Sequence, residues 1–188
     1  MNIAIIGTGN VGGALATQWS KAGHSIYLGV RDVHDFKGKE LLDNAHTSVH
    51  PIAEAIAAAE VILVASPPQF AESQASIFGN LKGKVLIDAT NAVRTKPENY
   101  PTAFHAFSAL TEAKVVKCFN STGFENMQNP SYGEQQLDMF MAGDSDVAKA
   151  LTDRRGVVEQ HCVTSQPFRT PPPNGVDAQP SNVDRGSQ

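Results

Sequence analysis

Three glycines near the start of the chain are the first residues whose spacing implies chemistry. Gly7-Thr8-Gly9-Asn10-Val11-Gly12 reads G-x-G-x-x-G, set between the β-rich run NIAII and a stretch whose apolar residues recur every three or four positions. In a strand–turn–helix context each glycine has its own task. Gly7 allows the tight turn, Gly9 lets backbone approach a pyrophosphate, and Gly12 lets the helix pack close to the strand. The N-terminus of that helix then offers free N–H groups and a partial positive charge to the phosphates. The chemistry predicted is dinucleotide binding, with Gly7, Thr8, Gly9, Asn10, Val11 and Gly12 as the contact turn.

Which dinucleotide depends on the end of the second strand, where the sequence runs Gly29-Val30-Arg31-Asp32. A carboxylate there accepts from a ribose 2′-OH, whereas a 2′-phosphate needs a cation. Arg31 comes first and can stack on adenine while pairing with a phosphate, a geometry suited to guanidinium. The expectation is therefore NADP(H). Asp32, one residue later, keeps NAD as the alternative, and a solvated surface arginine is the plain structural reading of Arg31.

Other chemistry is sparse. No acid–base dyad, Ser-His-Asp set or metal cluster emerges, and the six histidines lack ligand spacing and read as loop or surface residues. Cys118 and Cys162 lie too far apart in sequence to suggest a disulfide framework or a metal site, and Cys118, in an apolar run, reads as a small buried hydrophobe. No catalytic side chain is assigned and no metal is expected. Hydride transfer between two cofactor rings asks for stacking and alignment more than for a protein proton donor.

The elements that must position these residues follow from periodicity. Strands are predicted over residues 2–6, 25–29, 61–65, 84–88, 113–119 and 137–142. Helices are predicted over 11–22, 52–59, 70–81, 102–110 and 145–152, the last with Asp144 as N-cap. The polar stretch 32–49 reads as a loop with a short helix near 40–45. Strands alternating with helices imply an α/β, Rossmann-type doubly wound, mostly parallel sheet. Right-handed crossovers would gather every strand's C-terminal end on one edge.

With 188 residues, 41% hydrophobic and 18% charged, the chain has room for one domain, assigned to residues 1–152. Residues 153–188 hold five prolines and no Leu, Ile, Met, Trp or Tyr, so they read as a mostly disordered Pro-rich tail. A net charge of −4 with scattered cations gives no footprint for nucleic acid. The longest apolar stretch, 55–65, contains Glu60 and is too short to span a bilayer. Without a basic leader before the first apolar run, a cytoplasmic protein with no membrane partner is expected.

Taken in order, GTGNVGGALA, LGVRD, VILVASPP, IDATNAV and VVKCFNSTGFENM resemble the deazaflavin-dependent NADP reductase family over about residues 1–152. The same order is similar to the NADPH-binding domain of the six-transmembrane metalloreductases. The resemblance implies NADPH bound at the sheet edge and hydride passed to a deazaflavin or flavin, with a small-molecule redox acceptor as partner. Carried onto this chain, residues 8–12 match the pyrophosphate turn and Arg31 the 2′-phosphate contact. Ser66 and Pro67 match the loop beside the cofactor's ribose, and Asn91, Asn120, Thr122 and Gly123 the segments lining the nicotinamide pocket. Each of these loops is expected to follow a strand's C-terminal end. Asn91 could instead stabilise a turn, and Thr122 with Gly123 could serve only to bend the backbone.

Two departures stand out. Val30 occupies a position where the family usually carries a hydroxyl. Past residue 152 the family continues with a strand and an apolar helix that help close the site and form a homodimer, whereas this chain enters its Pro-rich segment, which suggests a frameshift or an altered C-terminus. The expected function is an NADPH-dependent oxidoreductase with a deazaflavin or flavin acceptor. The alternative is a non-catalytic NADP-binding module, a sensor or degenerate paralogue.

Overall fold

The computed structural model describes residues 1–153 and the strand Cys162–Thr164. Six strands, β1 (Asn2–Ile6), β2 (Ser25–Val30), β3 (Thr47–Pro51), β4 (Val61–Val64), β5 (Val85–Asp88) and β6 (Lys114–Lys117), form one sheet in the order β3-β2-β1-β4-β5-β6. Every neighbouring pair in it is parallel. The chain winds outward from β1 to β3, then crosses to β4 and winds outward the other way to β6. Strand order therefore reverses between β1 and β4, where such sheets open a crevice beyond their C-terminal ends. This is the doubly wound α/β architecture expected from the sequence.

Alternation along the strands creates two cores. Ile3 and Ile5 of β1 face α1 (Asn10–Lys21), meeting Leu15 and Trp19, while Ala4 and Ile6 face α2 (Ile52–Ala58) on the other side. α3 (Ala71–Ile77) and α4 (Ala103–Leu110) share the second face, where Phe78 and Phe107 stack with ring centroids 5.8 Å apart. Because both faces are covered, β1 and β4 are buried on both sides, which is why they read as unbroken apolar runs.

Several expectations need correction. β3 lies in the stretch expected to be a loop. Its residues are polar or half-buried, and as an edge strand it pairs only with β2, so it needs no apolar signature. The short helix expected at 40–45 is a 3-10 helix, Lys39–Asp43. The helix expected over 70–81 is split into a 3-10 turn, Pro68–Phe70, and α3, with Gly79 at φ +70° beyond its end. Two short features in the polar stretch after β6 were not expected. These are α5 (Glu125–Gln128) and the antiparallel hairpin of β7 (Ser131–Tyr132) and β8 (Gln135–Gln136), all too short to show a period.

β9 (Met139–Met141) stands outside the six-stranded sheet, although Lys117 and Ala142 exchange backbone hydrogen bonds of 2.7 and 2.9 Å in an antiparallel bridge. α6 (Asp146–Thr152) is capped by Ser145, whose hydroxyl accepts from the Ala148 N–H at 3.2 Å, and not by Asp144. β10 (Cys162–Thr164) pairs in parallel with β9. It falls inside the segment read as mostly disordered, and the rest of that reading, with His161, lies outside the described residues. No helix among the described residues is long and apolar enough to cross a membrane.

Candidate functional site

The glycine turn connects β1 to α1. Gly7 has φ +105°, and a Cβ there would stand 2.7 Å from the backbone of Ala65 and Ser66, so the loop after β4 presses directly on this turn. A Cβ on Gly12 would stand 1.9 Å from the Gly7 carbonyl oxygen, because the first turn of α1 sits on the glycine turn itself. Gly9 is different. Its φ of −78° suits any residue, and a Cβ there would meet nothing within 4 Å. The protein does not demand glycine at this position; the space is simply open. Gly9 is also the N-cap of α1, with no side chain capping the helix and no acidic residue in its first turn. That N-terminus keeps its partial positive charge for something outside the protein.

The loop after β2 is latched to this turn. The Thr8 hydroxyl donates to the Lys37 carbonyl, and Gly38, at φ +90°, lies so close that a Cβ would stand 2.9 Å from the Thr8 carbonyl oxygen. Arg31 is exposed at the C-terminal end of β2 and has no ion-pair partner among the described residues. One Asp32 oxygen accepts from the His34 N–H at 2.9 Å, so this carboxylate closes its own turn. Asn10 is exposed, and Val11 packs on the core.

On the other side of the switch point, Ser66 follows β4 and donates its hydroxyl to Gln74 of α3 at 3.0 Å, while Pro67 is exposed. The loop after β5 begins with buried Ala89 and Thr90 and reaches exposed Asn91, whose amide donates to the Asn120 carbonyl at 3.4 Å. Asn120, Thr122 and Gly123 follow β6. The Thr122 hydroxyl accepts from Asn126, and the Gly123 carbonyl accepts from the Asn126 N–H at 3.2 Å, opening α5. All of the residues expected at the site thus stand beyond the C-terminal ends of β1, β2, β4, β5 and β6. The structure joins the glycine turn to Ser66 and joins Asn91 to Asn120. At about 4.8 Å between strands, the edge from β2 to β6 is roughly 19 Å long.

Three features of this edge were not read from the sequence. Phe119 is buried with φ +61° and meets Trp19 edge-on at 6.0 Å, so a left-handed residue launches the loop after β6. Glu72 accepts from the backbone and side-chain amides of Asn99 at 2.9 and 2.8 Å, and Thr95 donates to Gln69 at 2.8 Å, tying the 94–100 segment down beside residues 69–72. The Asn99 hydrogen bonds, side chain first and backbone second, hold the Glu72 carboxyl below its ordinary value. Finally, Lys117 and Asp88 form an ion pair of 2.9 Å at the ends of β6 and β5. A lysine inside the run VVKCF was the one available signal for this pair. No group of three His, Cys, Asp or Glu among the described residues could hold a metal ion.

Residues 2–92 match the family described as NADP oxidoreductase, coenzyme F420-dependent. That stretch, just under half of the chain, is similar to this family. It holds the glycine turn, Arg31, Ser66, Pro67 and Asn91, while residues 120–123 lie beyond it. The rat metalloreductase STEAP3 is 29% identical over 150 residues, which are 78% of this chain and 30% of that protein. The chain therefore spans under a third of the length of this curated relative. A solved structure named as an F420-dependent NADP-reductase from Arthrobacter sp. FB24 superposes with a TM-score of 0.73 at 24% identity, covering 87% of this chain and 84% of that one. A reductive aminase from Aspergillus terreus, in complex with NADPH and ethyl-5-oxohexanoate, matches with a TM-score of 0.61 at 20% identity, covering 87% of this chain and 54% of that one. Both structural likenesses establish the fold alone.

Proposed function

We propose that this domain is an NADP-dependent oxidoreductase that binds NADPH along the C-terminal edge of its sheet and passes hydride to a deazaflavin or flavin. The observation that carries the reading is the pairing of two features on one edge. One is an uncapped helix N-terminus facing open space at Gly9; the other is an unpaired arginine on a loop latched to the same turn. The helix N-terminus and the backbone of residues 8–12 would hold the pyrophosphate. Arg31 would hold the 2′-phosphate, and Asp32, engaged with His34, leaves that role to it. Asn91, Asn120, Thr122 and Gly123 would border the nicotinamide. When bound, NADPH supplies the hydride. The chain's own contribution is to fix the ring and leave one face open to the acceptor.

The test is a fluorescence titration with NADPH and NADH, followed by turnover with FMN, FAD, deazaflavin and a cyclic imine. NADPH should bind more tightly than NADH by ten- to hundredfold, since charge-assisted contacts contribute about 1.5–3 kcal/mol. Arg31→Ala should remove most of that preference. Equal affinities in the unmutated protein would overturn the NADP reading in favour of Asp32 and a ribose diol. Binding without turnover on any acceptor would favour a non-catalytic NADP-binding module.

A further inference from the structure

We infer that Lys117 is a positioning residue, which fixes the spacing of the two loops that border the nicotinamide. The inference rests on the function proposed above and adds a residue that takes no part in it. Asp88 and Lys117 are register partners at the C-terminal ends of β5 and β6. Asp88 is fully buried, and the Lys117 side chain is 12% exposed. Their contacts converge on one loop. Asp88 accepts from the Thr90 N–H at 2.8 Å through one oxygen and from Lys117 at 2.9 Å through the other. The Lys117 ammonium also donates to the Thr90 carbonyl and lies 3.4 Å from the Thr90 hydroxyl. Meanwhile the Lys117 backbone holds Ala142 through two hydrogen bonds.

A buried ion pair is a poor source of stability, because desolvation offsets the attraction and a well-packed apolar pair does as well or better. What such a pair does supply is fixed geometry, and here the geometry fixed is that of the pocket. Thr90 precedes Asn91, whose amide meets the Asn120 carbonyl, and Asn120 follows Phe119 with its left-handed backbone. Lys117 thus bolts the start of one loop to the strand from which the other departs. The side-chain bonds of Lys117 and Asp88 run to each other and to Thr90, away from the glycine turn and Arg31, so the pyrophosphate and adenosine end should not sense the change.

The experiment separates the two ends of the ligand with NADPH and its fragment 2′,5′-ADP, which lacks the nicotinamide half. Lys117→Met should weaken NADPH by about tenfold and leave 2′,5′-ADP within twofold. In the ligand-free protein, hydrogen exchange should accelerate in the 89–93 and 119–123 loops relative to α1. Lys117→Arg should restore part of the NADPH affinity. The double variant D88N/K117M removes the unpaired buried carboxylate, should fold even where the single variant does not, and should show the same split. Equal weakening of both ligands, or uniform acceleration of exchange across the sheet, would overturn the proposal. If the unmutated protein binds neither ligand, the proposed function falls, and the exchange comparison still decides the role of Lys117: selective loop acceleration supports it and uniform change refutes it.

Discussion

Two glycines three positions apart should fail in opposite ways. Consider first Gly9→Val. The position has ordinary extended backbone, and a Cβ there meets nothing within 4 Å. Losing glycine at an N-cap costs about 0.5–1 kcal/mol, and the stiffer unfolded chain returns about 0.4–1 kcal/mol. Stability should therefore move by no more than about 1 kcal/mol. The added side chain, however, would fill the space assigned to the pyrophosphate. Two charge-assisted N–H bonds lost at about 1.5–3 kcal/mol each predict at least a hundredfold loss of NADPH affinity. Gly12→Ala inverts the pattern, because its Cβ would stand 1.9 Å from a backbone carbonyl. Overpacking typically costs about 1–3 kcal/mol, and a rigid backbone partner puts this case at the upper end, about 3 kcal/mol. For a chain of this size that is roughly 6–12 °C in Tm. Urea melts followed by circular dichroism, run beside NADPH titrations, would separate the two. A Gly9→Val protein that binds NADPH normally, or a Gly12→Ala protein as stable as its parent, would refute the reasoning.

Further outcomes follow from the surrounding contacts. The Glu72 carboxyl is held below its ordinary value, so its tether to Asn99 should persist above the unfolded glutamate's pKa of about 4.3 and be released as pH falls through the lower folded value. Amide exchange at Asn99 on acidification would show this, and Glu72→Gln should abolish the pH dependence. Ser145→Ala should cost about 1 kcal/mol in a urea melt by removing the cap of α6, while Asp144→Ala should cost nothing comparable; the reverse order would restore Asp144 as the cap.

How much of this was legible in the sequence depends on how far apart the interacting residues lie. β1 and β4 announced themselves because burial on both faces leaves only apolar residues in them. The tasks of Gly7 and Gly12 were also readable, since a strand, a turn and a helix in succession leave little freedom for what glycine must do there. β3 was illegible because an edge strand with one partner can be polar. Lys117 was visible as an anomaly in an apolar run, but Asp88 lies 29 positions away and only the β5–β6 register brings them together. The left-handed conformation of Phe119 leaves no trace in residue type; it occurs where the chain leaves the sheet and the ring meets Trp19. Ser66 was expected in a loop beyond its strand, whereas its approach to the glycine turn and its bond to Gln74 depended on the fold and on where α3 begins.

On the proposed function, the latch between Thr8 and the loop after β2 alters how the free energy of cofactor capture would be divided. A loop that closes only over its ligand spends part of the binding energy on its own ordering. Here the Lys37 carbonyl already accepts from Thr8, and Gly38 already lies against the Thr8 backbone. The ordering cost is met once, when the chain folds, and not again with each molecule captured. The two ends of the grip also become mechanically one piece. A side chain at Gly38, 2.9 Å from the Thr8 carbonyl, would push the phosphate turn and the Arg31 loop apart together. Residues that touch no cofactor atom can therefore set affinity by setting the width of the grip, and variation along residues 32–38 is a route for tuning cofactor retention without altering a single contact residue.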